Sequence, residues 1–511
     1  MNRVRKRTAT SLLVSSMSLA LSLSAATTAS SHQAEAMTTV SPVFSANSRP
    51  DEAQFIKVKR TSEDNSLRVI FQHYLDRNGY GVTLPKETVV ISPDKIDTNP
   101  LFFFELLKQK WSQLAMLRKP VQASTVIELV LPRRAAKDFG KLPVLFMETD
   151  IDNDGIGKSD LAWFPYQREI TEVRRDNTLV DSKGLKAHFT FSDKFESLTA
   201  QLSLLGVTAT ETSGKGAASL GETTFSGTFD ADLMPTQMSL KVPTFKFSIH
   251  KRHDDGELNL QDLAFNVDVA KTSNGLKLVE VDAQVKHVYF RDKDSKFRLE
   301  NLVVKNDFDE QGDVINLTVQ AKIGKLRPPK ALTSGNDEFA SYVGQIALRR
   351  LDAEALLALQ TTAHKLSKQK YHPRLEEKMN EKFIEVVPQL LAKSPEIVLT
   401  DTLETSKGNA QGSLSVSIDG AKVTSLENPF ALIPALHARA SISIDKTLLE
   451  QALAMLEKES PSEARDIRGQ IKMFVAMKLL VETDNSYKSA AEFKKGQLIV
   501  NGQVIPLEAF F

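Results

Sequence analysis

The sequence predicts a β-rich α+β fold, in which a large curved antiparallel meander sheet is covered by a few amphipathic helices. Three observations carry that expectation. Over residues 223–323 large apolar side chains fall on every second position, the period of a strand with one buried and one wet face. Turn signals interrupt that pattern roughly every 10 to 20 residues, as long strands joined by hairpins require. From Leu348 onward the apolar spacing changes to three and four residues, the period of helices that give such a sheet its cover.

Taken in order, the chain opens with Arg3, Arg5, Lys6 and Arg7 ahead of an apolar run at 12–23. Small residues then lead to Ala34-Glu35-Ala36. This is the layout of a cleaved export signal over residues 1–36, too short and serine-broken to fill a span of about 20 apolar residues. An uncleaved anchor in the inner membrane is the alternative, and the expected location is the periplasm. Residues 37–54 read as a disordered leader.

Residues 55–165 read as a β-rich subdomain with one helix. Strand-like runs at 67–71 and 88–91 are broken by Asn78-Gly79 and Leu84-Pro85. After Asn99-Pro100, helical spacing links Phe103, Leu106, Leu107, Trp111, Leu114 and Leu117. Strands follow at 125–131 and 143–149.

Residues 166–347 form the ladder. Leu185, Ala187, Phe189 and Phe191 alternate first, then Phe225, Gly227 and Phe229, then Phe245, Phe247 and Ile249. Leu258 and Leu260 continue it into Leu263, Phe265 and Val267, with a change of register at Asp262. Beyond Asn274-Gly275 come Val281, Ala283 and Val285, then Phe297, Leu299, Leu302 and Val304, then Leu317, Val319, Ala321 and Ile323. The basic run 325–330 reads as a connector.

Residues 348–511 read as helix pairs with returning strands that complete the sheet. One helix uses Leu348, Leu351, Ala355, Leu359, Ala363 and Leu366, and a second runs past Pro388 to Ser394-Pro395. Strands return at 396–399, 412–418 and 437–444. Asp445 opens a further helix, and Ser460-Pro461-Ser462-Glu463 reads as a capping box. Asn501-Gly502 marks a final hairpin.

Composition narrows the function classes. The 511-residue chain carries a net charge of +1, so no global field points to nucleic acid. It has no cysteine, which excludes disulfides, thiolate metal sites and a catalytic thiol. Phe (27) far outnumbers Tyr (7) and Trp (2), a bias toward dry apolar surface rather than a polar, aromatic-lined site. No Gly-x-Ser-x-Gly elbow is present, and Gly214-Lys215-Gly216 lacks the rest of a phosphate-binding loop. No catalytic constellation emerges, so the reading leans away from an enzyme.

The run 390–397 (Leu-Leu-Ala-Lys-Ser-Pro-Glu-Ile) followed by Gly412-Ser413-Leu414-Ser415-Val416 resembles the C-terminal half of the YdgA-like proteins. So do the strand-then-helix segment 438–453 and the ending 496–502. Residues 148–155 sit where that family often carries a His-Gly-Pro turn, read here as Asn153-Asp154-Gly155. The resemblance covers residues 120–511. It implies an exported or membrane-anchored bacterial protein with a β-rich fold, and it transfers no active site.

Three candidate sites remain. Asp150, Asp152 and Asp154 ahead of Gly155 match the first half of a calcium loop, although its twelfth position is Leu161; the other reading is a solvated turn. His250, His253, Asp254 and Asp255 gather at a hairpin tip where a transition metal would find ligands, with Lys251 and Arg252 opposing it. The apolar stripe of the ladder, represented by Phe245, Phe247, Phe265, Val267, Phe297 and Leu299, is either core or a surface for a lipid or other apolar ligand. The sequence therefore supports a non-catalytic envelope protein that binds a lipid or other apolar ligand. The alternative is a structural protein of the envelope, forming homo-oligomers or engaging a protein partner.

Overall fold

A computed structural model describes residues 66–77, 80–92, 102–130, 144–170, 177–250, 255–293, 295–327, 339–367, 375–423 and 432–506. The export signal and leader lie outside the described residues, as do Asn78-Gly79, Asn99-Pro100, residues 251–254 and residues 328–330. The fold is β-rich α+β with antiparallel strand pairing, in two compact units that divide after Asp268.

The N-terminal unit contains β1 (Leu67–Arg77), β2 (Tyr80–Thr83), β3 (Glu87–Ile91), α1 (Phe102–Ala115), β4 (Val121–Val130), β5 (Leu145–Ile151), β6 (Gly157–Trp163), β7 (Tyr166–Ile170), β8 (Thr178–Ser182), β9 (Leu185–Phe191), β10 (Ser197–Leu204), β11 (Val207–Glu211), β12 (Gly216–Leu220), β13 (Thr223–Asp230), β14 (Pro235–His250) and β15 (Asp255–Lys271), whose last residues belong to the second unit. Pairing runs β1, β4, β5, β6, β9, β10, β13, β14, β15, and a branch through β7, β8, β11 and β12 joins the second half of β14.

Helix α1 lies on this sheet as its spacing predicts. Leu106, Leu107, Trp111 and Leu114 are buried against Phe71, Ile127, Met147, Phe189, Phe191 and Leu198. Trp111 stacks on Phe191 at 5.1 Å between ring centres and meets Phe189 at 5.0 Å. Burying side chains of this size stabilises the unit by about 1.5–3 kcal/mol each. The spacing did not announce Lys110, which is fully buried in the same layer. Its ammonium donates to Glu87 and to Gln113 (3.2 Å), and sits 5.3 Å from the centre of the Phe71 ring.

The C-terminal unit contains β16 (Lys277–Asp292), β17 (Lys296–Gln311), β18 (Val314–Arg327), β19 (Phe339–Asp352), α2 (Ala353–Ser367), α3 (Leu375–Ala392), β20 (Glu396–Thr405), β21 (Gly408–Ile418), β22 (Leu436–Asp445), α4 (Lys446–Glu459), α5 (Pro461–Ala476), β23 (Val481–Glu482), β24 (Ser486–Lys494), β25 (Gln497–Val500) and β26 (Gln503–Ile505). From β16 to β22 each strand pairs with its successor. β24 then pairs with β22, and β25 and β26 follow.

Three local expectations change. Leu348 and Leu351 belong to β19, and the helix begins only at Ala353, where the Asp352 carboxylate caps the Ala355 N–H at 2.8 Å. Ser460 does precede α5 with Pro461 in its first turn, but its hydroxyl makes no capping bond. The connector expected at 325–330 is strand as far as Arg327.

Left-handed residues inside three long strands explain the register change seen at Asp262. Asp262 (φ 50°), Asn301 (φ 54°) and Arg350 (φ 56°) each occupy the third place of a Leu-x-x-Leu step: 260–263, 299–302 and 348–351. One left-handed residue resets the pleat, so a three-residue step continues an apolar series that otherwise runs in twos. Opposite Asn301 lies Gly324, where an added Cβ would stand 3.0 Å from the Asn301 Cβ.

Candidate apolar surface

In an antiparallel sheet, directly opposed residues share a face, so the register identifies which side chains form one surface. In the C-terminal unit one row runs through Phe308, Leu317, Leu348, Ile397, Val416, Ala438, Phe493, Leu498 and Ile505, one residue from each of nine strands. Two residues along, a second row passes through Val319, Ile346, Leu399, Leu414, Ala440, Ala491 and Val500. A third carries smaller or polar groups at Ala321, Gly344, Asp401, Gly412 and Ser489, with Ile442 its one bulky side chain. A fourth restores bulk with Leu302, Ile323, Tyr342, Leu403, Ala410, Ile444 and Tyr487.

At about 4.8 Å per strand the longest row extends on the order of 40 Å, and four rows cover about 20 Å along the strands. The third row is a shallow trough between bulkier neighbours. At Gly344 the trough is roofed by Tyr342, whose hydroxyl donates to Asp401 at 2.7 Å; an added Cβ there would lie 2.5 Å from that oxygen. The hydrogen bond to Asp401 pushes the Tyr342 hydroxyl above its ordinary pKa. Over Gly412 the space is empty.

The reverse face is polar. Ser413 and Ser441 hydrogen-bond across it at 2.7 Å, and Lys305 meets Asp282 at 2.8 Å. His437 and Arg439 converge on Glu492 at 2.9 and 3.1 Å, holding its carboxyl below the usual range.

The apolar rows stay accessible. Ile346 and Ile397 are each 47% exposed, Leu414 36% and Ile442 52%. The helix pairs connect adjacent strands and sit at their ends, α2 and α3 beyond Asp352, α4 and α5 beyond Asp445. Leu356 and Leu357 of α2 close one end, packing with Phe308 on Leu276, Leu278 and Ile315.

The six ladder residues singled out in the sequence fall into three groups. Phe245 and Phe247 oppose Leu260 and Leu258, while Phe265 and Val267 oppose Leu240 and Met238; both sets lie in the N-terminal unit. Phe297 and Leu299 oppose Phe290 and Val288 in the C-terminal unit. Val267 is buried and Phe247 is 42% exposed. The rows of β19 to β26 carry the same alternation at 397/399, 414/416 and 438–444.

The acidic stretch 150–155 forms the β5–β6 hairpin. Asp150 opposes Lys158, and the Asp152 carboxylate accepts the Ile156 N–H at 2.9 Å. Leu161 is buried, and Asp160 binds His188 at 2.8 Å. His250 binds Asp255 at 2.8 Å, and His253 lies outside the described residues. Among the described residues, no group of three or more His, Asp or Glu is placed to hold a metal. No helix among them is long and apolar enough to cross a membrane.

A family model described as "Bacterial protein of unknown function (DUF945)" matches residues 111–508. The chain belongs to DUF945. No curated protein and no solved structure matches it. The DUF945 match takes in every row of the C-terminal apolar surface.

Proposed function

We propose that this DUF945 protein is a non-catalytic protein of the cell envelope whose C-terminal unit holds a lipid acyl chain along the open face of its sheet. One observation carries the reading: apolar residues from nine strands paired side by side stand in register on a face that remains accessible. Monomeric soluble proteins rarely leave so large an apolar surface without a use. The backbone beneath is saturated by the ladder, so this face offers contact area and almost no hydrogen bonding, which suits a hydrocarbon chain. Asp401 is the one carboxylate in the four rows. The basic start, apolar run and Ala34-Glu35-Ala36 support delivery to the envelope, and residues 390–397 with 412–416 support placement near the YdgA-like proteins.

The test is lipid extraction and native mass spectrometry of protein purified without detergent, with light scattering on the same sample. Acyl lipid recovered with a monomer supports the reading. Lipid-free protein that also fails to bind an added fluorescent fatty acid overturns it. A lipid-free dimer with this face protected from labelling would replace the ligand by a second copy of the chain.

A further inference from the structure

A second apolar space exists in the N-terminal unit, built from different residues. A pocket of about 310 Å³ is bounded by Phe103 and Phe104 of α1 and by strands β4, β5, β6, β9 and β10. All ten lining side chains are apolar or aromatic; Trp163, Leu185, Ala187 and Leu202 form one wall. Protein interiors pack with few voids larger than a water molecule, and an apolar cavity of about 150 Å³ already binds benzene rather than water. This unit otherwise packs tightly around Trp111, so the space is not the looseness of a poorly formed core.

From these features we infer that the pocket is a binding site for one acyl chain of medium length. At roughly 30 Å³ per methylene, about the share of one water molecule, the volume corresponds to about ten carbons. A second observation bears on the chain's chemistry. The indole Nε1 of Trp163 is buried with no acceptor among the described residues, and its ring stacks on Tyr166 at 5.4 Å. That nitrogen has no surface facing the pocket, whose lining is wholly apolar, so an occupant is held through hydrocarbon contacts alone. The ligand is therefore recognised by its hydrocarbon chain, as a fatty acyl ester presents one. The site shares no residue with the sheet face of the C-terminal unit.

The experiment is isothermal calorimetry of the full chain with methyl decanoate, with intrinsic fluorescence recorded in parallel. Both tryptophans lie in this unit, so binding here changes their emission. Saturable binding that changes tryptophan emission is expected in the wild type, and one-to-one binding with the same emission change in the sheet-face variant Ile346→Thr/Leu414→Thr/Ile442→Thr. Ala187→Phe fills the pocket from the wall it lines and abolishes the emission change. Should it fail to fold, Leu202→Phe fills it from the half-buried rim and lowers affinity at least tenfold. Unchanged tryptophan emission up to the solubility limit of the ester overturns the inference, as does wild-type affinity in a folded pocket variant. Loss of binding only in the sheet-face variant would assign the ester to the C-terminal unit instead.

Discussion

Replacing Ile346, Leu414 and Ile442 together by threonine tests the sheet face most directly. These residues are 47%, 36% and 52% exposed, so a ligand covering them removes about half of each side chain from water. Complete burial of such a side chain is worth about 1.5–3 kcal/mol, and half of it about 1 kcal/mol. Three substitutions should therefore cost about 3 kcal/mol of binding free energy, roughly a hundredfold in Kd. Threonine keeps the β-branch that suits a strand, so the ladder itself should survive. The assay is titration with a fluorescent fatty acid in the Ala187→Phe background, which closes the N-terminal pocket, with far-UV circular dichroism confirming the fold. Gln345→Thr/Ser413→Thr/Ser441→Thr changes the same region of the reverse face and should bind as the wild type does. Retention of affinity within twofold by the apolar-face variant would refute the reasoning, as would an equal loss in the control.

Three further perturbations probe the frame. Glu87→Ala leaves the fully buried Lys110 without its carboxylate; because Glu87 is partly solvated, the cost should be about 2 kcal/mol, whereas Lys110→Met should stay within about 1 kcal/mol by urea denaturation. Burial, and then the Lys110 charge, hold His73 below its ordinary value of 6.5. Its contribution is thus complete above pH 6.5 and lost as pH falls from there through the lowered folded value, and His73→Gln should flatten that acid-side decline. The hydrogen bond to Asp160 raises His188, whose contribution is complete below pH 6.5 and lost as pH rises through the raised value, so His188→Gln should flatten the opposite limb; slopes of the other sign would contradict both assignments. At Asn301, valine in the left-handed conformation should cost about 1–2 kcal/mol while glycine costs little, and equal thermal midpoints for the two variants would remove the pleat-resetting role.

Much of this architecture is readable from local pattern. Period two located the ladder, and the spacing of Leu106, Leu107, Trp111 and Leu114 placed α1 and its buried stripe. What escaped has specific causes. Leu348 and Leu351 imitate a helical step because Arg350 is left-handed, and a three-residue stride inside a strand is indistinguishable on paper from a turn of helix. Burial of Lys110 is not legible locally, because its partner Glu87 lies on β3, outside any local window. The apolar residues of β19 to β26 alternate plainly, but alternation tells only that two faces differ. Whether one of them meets water depends on where α2 to α5 come to rest, and that is decided by strand direction at Asp352 and Asp445.

The pairing of nearly every strand in the C-terminal unit with its neighbour in sequence makes this unit behave as a one-dimensional array. A strand pairs with its two flanking strands, and among the described residues the buried apolar cluster of this unit, Leu276, Leu278, Ile315 and Ala353, lies at one end of the ladder. Damage at one hairpin should therefore stay local, and amide exchange should spread inward from the β25–β26 end rather than release the whole unit at once. The same arrangement makes length adjustable. Adding or deleting one hairpin would lengthen or shorten the apolar rows by two strands, about 10 Å, and leave the remaining register intact. The number of hairpins would then set how long a chain the face accommodates.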